Sequence, residues 1–207
     1  MTHRPVTLRL LCTTASPFSA KVRMAAASAG IPLELVHTDT GQLPADLVQA
    51  NPLGKIPVLL TGDVGPVSDS RVITQYLDHA SGGRLFPSEF GARMQAMRLE
   101  SICDGLCDAL QAHVYERRFR PENMVSQAWL ERQWGKAART LEVLEAAPPP
   151  LGRTLHVGQI ALRTSLGYLR MRFEKDFSAA ALPRLVAWAT QFDAGFPQLT
   201  DCVPRPA

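Results

Sequence analysis

In the run Asn51-Pro52-Leu53-Gly54-Lys55-Ile56-Pro57-Val58, followed by Asp69-Ser70, the groups offered for chemistry are mostly backbone amides rather than reactive side chains. Asn51 to Gly54 reads as a turn that delivers a short apolar strand, Ile56 to Leu60, with a proline at its mouth. An X-Pro bond adopts the cis form readily, and a cis bend at a strand start turns the backbone of the preceding residue outward. Ile56 then offers its N–H and C=O to a peptide-like ligand, which adds to the sheet as a short extra strand. Asp69 and Ser70 sit where a helix begins, at a positive dipole end with free N–H groups. Asp69 is an acceptor suited to an amine, while Ser70 and its N–H suit a carboxylate. A ligand with a peptide backbone, a free amine and carboxylates fits that set. Both features also have a purely structural use, Pro57 as a strand-edge proline and Asp69-Ser70 as a helix cap.

The elements that must hold these groups follow from punctuation and period. Residues 6–12 run apolar as a strand. A helix follows with Ser16 as N-cap, Pro17 at its first position, an Ala-rich body to Ala29, Gly30 past its end and Pro32 beyond. Leu33 to Val36 is a second strand, parallel to the first. After a short helix in residues 44–50, Ile56 to Leu60 and a strand near Val67 form a hairpin about Gly62-Asp63. Asp69 to His79 is a helix with Val72, Ile73, Tyr76 and Leu77 on one face. The order β-α-β-β-β-α is that of a thioredoxin-like domain, placed at residues 1–80. Residues 81–89 read as a linker that opens on Ser81-Gly82-Gly83. From residue 90 to residue 207 strand patterns vanish, and helices are expected at about 90–119, 122–146, 158–173 and 183–196. The fold class is therefore α/β plus all-α.

These residues resemble the amino-terminal domain of the cytosolic glutathione S-transferases, which carry an Asn-Pro-x-Gly-x-Val/Ile-Pro segment and then a Glu/Gln/Asp-Ser pair. The resemblance covers nearly the whole chain, is strong in residues 7–80 and looks closest to bacterial members with serine near the first helix. It implies glutathione as co-substrate, held by Phe18, Lys55, Ile56, Pro57, Asp69 and Ser70, with Lys55 facing the glycyl carboxylate. It also implies that Ser16 is catalytic. Ser16-Pro17-Phe18 matches the Cys-Pro-Phe of omega-like members, and serine there favours thiolate stabilisation over a mixed disulfide. Only the thiolate is a good nucleophile, and a helix N-terminus plus one hydroxyl hydrogen bond stabilises it. Ser16 would cap the helix in any case, and Thr14 is the alternative hydroxyl. For a small electrophilic acceptor, the expected pocket lies between Phe18 and the long helix bearing Tyr115, Arg118 and Phe119. The expected assembly is a homodimer. Alternatives on the same fold are a non-catalytic glutathione-binding or protein-interaction module, and a glutathione-dependent reductase or dehalogenase.

Composition excludes other classes. With 207 residues, 46% hydrophobic and 20% charged, the chain is long enough for a sizeable core and is not of disordered type. A formal charge of +3 without a basic block argues against nucleic acid. No apolar run approaches the roughly 18 residues of a membrane helix, and no secretory signal is read, so the cytoplasm is expected. Cys12, Cys103, Cys107 and Cys202 form no CxxC pair. Cys103 and Cys107, near Asp104, Asp108 and His113, continue an apolar stripe and read as core, so no metal is expected. One departure from the family concerns the helix near residue 158, which opens with His156-Val157-Gly158-Gln159 instead of a Ser/Thr-x-x-Asp box. Histidine is a poor N-cap, which puts this helix start in doubt.

Overall fold

The computed structural model describes residues 8–206, so Val6 and Thr7 of the expected first strand lie outside the described residues. The first half is β1 (Leu8–Cys12), α1 (Pro17–Ala29), β2 (Leu33–His37), α2 (Ala45–Ala50), β3 (Val58–Leu60), β4 (Pro66–Ser68) and α3 (Ser70–Ala80). The sheet order is β2-β1-β3-β4, with β1 and β2 parallel and the β1/β3 and β3/β4 pairs antiparallel. This is the thioredoxin-like arrangement. The start of α1 is capped by Ser16, and its end is closed by Gly30 in the left-handed region at φ 74°. Ile56 and Pro57 precede β3 rather than forming its first residues, since Pro57 has no N–H to give a ladder. On α3, Ile73 and Leu77 are buried, whereas Val72 is 51% exposed and leaves the face predicted for it.

The second half is helical: α4 (Phe90–Arg118), α5 (Gln127–Ala146), α6 (Val157–Arg172) and α7 (Pro183–Gly195), with 3-10 turns at Glu122–Met124, Glu174–Asp176 and Pro197–Cys202. The second long helix thus starts five residues later than expected. Ser126 is the stronger start signal: its Oγ accepts from Trp129 N, and its own N–H donates to Glu116 Oε1 at 3.0 Å. His156 does cap α6, contrary to the expectation from residue type. His156 Nδ1 accepts from Gln159 N at 3.4 Å while Gln159 Oε1 accepts from His156 N at 3.0 Å, a complete capping box. A neutral imidazole nitrogen carries the lone pair that a serine oxygen would supply.

The halves share one apolar core, from Leu10, Val22 and Met24 through Ile73 and Leu77 to Leu106, Leu110 and Ile160. The segment between them is pinned: Asp78 Oδ1 accepts from Leu85 N at 2.8 Å and from Phe86 N at 3.0 Å, and Leu85 O accepts from Val157 N at 2.9 Å. Where α4 crosses α6, Gly158 lies so close that a Cβ there would sit 2.5 Å from Ala96 O. Among the described residues no helix is long and apolar enough to cross a membrane.

Candidate functional site

The sheet register collects the three sequence signals at one end. Val58 pairs with Leu11 on one side and with Ser68 on the other. One residue further along, Pro57 falls beside Cys12 and Asp69, so the loop from β1 to Ser16, the Ile56-Pro57 step and the start of α3 are neighbours. Two helix N-termini, those of α1 and α3, therefore open at the same sheet end.

Asn51 builds the central turn. It is buried, its Nδ2 donates to Lys55 O at 2.8 Å, and its Oδ1 accepts from Leu53 N at 3.1 Å. Gly54 N donates to Asn51 O at 2.8 Å from a residue at φ 61°, a conformation glycine adopts without a Cβ clash. The Ile56–Pro57 peptide bond is cis, as the sequence predicts. Lys55 is exposed and Ile56 half-buried. Asn51 is thus more than a turn residue, since its side chain shapes the backbone around Lys55.

Asp69 caps α3 from an unusual backbone position, φ 69° and ψ 125°, its Oδ1 accepting from Arg71 N at 2.8 Å. A non-glycine residue there is strained by an amount on the order of 1–3 kcal/mol, and such strain concentrates at functional positions. Ser70 is buried as the first residue of α3.

Ser16 is half-buried at the start of α1, and its Oγ accepts from Ser19 N at 3.1 Å. That bond occupies a lone pair and leaves the O–H proton able to donate. The Thr14 hydroxyl differs: it donates to Pro206 O at 3.3 Å. Of the two candidate hydroxyls, Ser16 is the one whose proton has no acceptor among the described residues. Phe18 is half-buried in the first turn of α1.

Behind this end lies a buried ionic cluster that periodicity did not reveal. Lys21 Nζ donates to Glu100 Oε1 at 3.0 Å and to both oxygens of Asp104, and Arg71 Nε donates to Asp104 Oδ2 at 3.0 Å. Lys21 is only 1% exposed. Burial lifts the Glu100 carboxyl above its ordinary range, against the pull of Lys21. The available signals were a lone lysine in an Ala-rich helix and acids four apart within an apolar stripe. One turn further along α4, Asp108 is raised by desolvation and by Asp104, and is drawn down by Arg71 and Lys55. The cluster thus braces Arg71, and through it the start of α3, against α4.

The expected acceptor residues are only partly brought together. Tyr115 and Phe119 meet edge-on, ring centroids 5.1 Å apart, on the wall of an open cavity of about 490 Å³ shared with Met124 and Trp129. Phe18 and Arg118 are not on that wall, and the charged pair there is Glu116 with Arg120 at 3.0 Å. Arg118 instead lies over the Phe119 ring.

The paired cysteines belong to the core. Cys107 Sγ is 3.1 Å from Ser165 Oγ, and burial pushes its thiol up to about 12; the Cys103 thiol is raised well above its ordinary value by the same cause. The His113 ring packs edge-on against Trp134 and Phe173. Among the described residues no group of three or more His, Cys, Asp or Glu is placed to hold a metal ion.

Three comparisons bear on this site. The family model "Glutathione S-transferase, N-terminal domain" matches residues 15–80. The "Uncharacterized GST-like protein YibF" of Escherichia coli is 30% identical over 80% of this chain and 83% of that protein, and the Zea mays "Probable glutathione S-transferase BZ2" is 41% identical over 90% and 86% respectively. A crystal structure of a glutathione S-transferase from Methylobacterium radiotolerans, in complex with glutathione sulfonate, superposes with a TM-score of 0.88 at 34% identity, covering 97% of this chain and 96% of that one.

Proposed function

The chain belongs to the glutathione S-transferase family, and we propose that it binds glutathione at the sheet end shared by Ser16, Ile56 and Asp69 and activates its thiol for attack on a small electrophile. The observation that carries this reading is the convergence of two helix N-termini with the backbone of Ile56 between them. The tripeptide lies along Ile56. Its γ-glutamyl amine meets Asp69, its α-carboxylate meets Ser70 and the start of α3, and its glycyl carboxylate lies toward Lys55. Pro57 and Phe18 frame the strand and the thiol. The thiolate takes a hydrogen bond from Ser16 at the positive end of α1. The crystal structure of the Methylobacterium relative with glutathione sulfonate supports the choice of ligand class.

An apolar acceptor fits the wall formed by Tyr115 and Phe119. On the proposed assignment, residues 1–80 are the glutathione-binding domain, 81–89 the linker and 90–207 the helical domain of a cytoplasmic homodimer.

Calorimetric titration with glutathione followed by an electrophile panel tests the proposal. Millimolar glutathione should saturate the protein, and a reactive aryl halide should be consumed. No binding at that concentration would refute the site and promote a protein-interaction role on the same fold. With Ser16→Ala, affinity for glutathione should hold while turnover falls about 10- to 1,000-fold, the range for one hydrogen bond to a developing anion.

A further inference from the structure

We infer that the segment Val203–Pro206 is a clasp that positions the loop carrying Ser16, acting through its backbone rather than by reaching the ligand. The inference rests on the proposed function, because it says how that thiol site is held. Arg205 N donates to Thr14 O at 3.1 Å, and Thr14 Oγ1 donates to Pro206 O at 3.3 Å, so the carbonyl and the hydroxyl of Thr14 are engaged by the same stretch of chain. Just upstream, Arg23 Nη2 donates to Cys202 O at 3.0 Å. Ser16 is therefore bracketed: Thr14 two residues before it and Arg23 two turns after it in α1 are both tied to residues 202–206.

The path of that segment is set by packing on α6. A Cβ on Gly167 would sit 2.5 Å from Val203 Cγ1 and 2.8 Å from Pro204 Cδ, so a glycine notch in α6 is what admits the chain. Leu199 is buried in the shared core and anchors the approach. Val203 has the extended geometry φ −62°, ψ 142°, and Pro204 and Pro206 each fix one φ, so the clasp is stiff without belonging to a helix or strand. The loop it holds, Thr13 to Ser16, is irregular, and displacement of a reacting group by a fraction of an ångström is costly to rate. Thr14 is on this view a positioning residue. The Arg205 contribution is its N–H, not its guanidinium, whose contact with the exposed Asp201 carboxylate is long at 3.8 Å.

Arg205→Pro removes that single N–H, and Arg205→Ala keeps it. In the full-length protein, hydrogen exchange of the amides from Thr13 to Ser19 is measured alongside kcat and KM for glutathione with an aryl halide. Arg205→Pro should speed exchange in this loop about five- to tenfold and lower kcat by a similar factor with KM for glutathione unchanged, as loss of one hydrogen bond implies. Arg205→Ala should match the wild type in both. Thr14→Val, which deletes only the bond to Pro206, should move loop exchange in the same direction by a smaller factor, and it carries the test if Arg205→Pro does not fold. Wild-type loop exchange and kcat in Arg205→Pro, or in Thr14→Val if that variant stands alone, would overturn the clasp. So would an Arg205→Ala loss equal to that of Arg205→Pro, since it would trace the effect to the side chain. If the wild type neither binds nor turns over glutathione, the proposed function fails, and loop exchange still decides the clasp.

Discussion

Lys21 on α1 and Asp104 on α4 hold each other across the junction of the two halves, with Lys21 Nζ 2.9 and 2.7 Å from the two carboxylate oxygens and both side chains withdrawn from water. Neither charge is tolerable there alone, so the contact fixes how the helical half sits behind the sheet end. Lys21→Met leaves Glu100 and Asp104 buried together without their shared cation. Such a change should cost about 3–5 kcal/mol, read as a lower urea midpoint at constant slope. Glu100→Gln should cost much less, because its amide oxygen still accepts from Lys21 and an acid already resisting ionisation is removed.

Asp69 does two things that one substitution separates. Asp69→Asn keeps an oxygen for the Arg71 N–H and a residue type that tolerates positive φ, so melting should stay near wild type. Glutathione affinity should fall by about 1.5–3 kcal/mol, the range for a hydrogen bond to a charged group, measured by calorimetry. Equal affinity in the variant would remove the amine contact from Asp69.

The His156 cap makes α6 acid-sensitive. Burial depresses the His156 pKa, so the folded state resists a proton that the unfolded chain accepts. The stability it contributes is present above the ordinary histidine value of 6.5 and is lost as pH falls through the folded value, where the protonated ring can no longer accept from Gln159 N. His156→Ser should flatten that part of the stability-versus-pH curve while keeping the capping box. His156→Ala should lower stability by about 0.5–2 kcal/mol at neutral pH.

Gly158→Ala tests the helix crossing. The new methyl would meet Ala96 O and Leu99 Cβ at 2.5 and 2.9 Å, and a backbone carbonyl inside a helix yields only if α4 moves. A loss of about 1–3 kcal/mol is expected in denaturant titration. Wild-type stability would mean that the α4–α6 spacing adjusts freely.

Local signals in the chain were enough to place α1, α3, the hairpin and the parallel β1–β2 pair, because each is written in neighbouring residues: Ser16-Pro17 and Gly30 for the ends of α1, and alternation and turn residues for the strands. The Asn51–Pro57 and Asp69-Ser70 motifs were legible for the same reason. The helix expected from residue 122 starts instead at Gln127, since the bond to Glu116 that holds Ser126 at its cap comes from another helix.

Relationships between residues far apart in the chain came from the packing alone. Helical period marks Lys21, Glu100 and Asp104 as polar positions on two helices but carries no information about which faces meet, so which of them pair, 79 and 83 residues apart, is not written in it. The same holds for Thr14 and Arg205, joined by a backbone bond that any residue except proline can make at Arg205. Local order in the chain specifies the element sequence, the caps of α1 and α3, and the family. Packing determined which hydroxyl is engaged, because Thr14 Oγ1 donates to Pro206 O, 192 residues away in the chain, whereas Ser16 Oγ only accepts from the neighbouring Ser19 N.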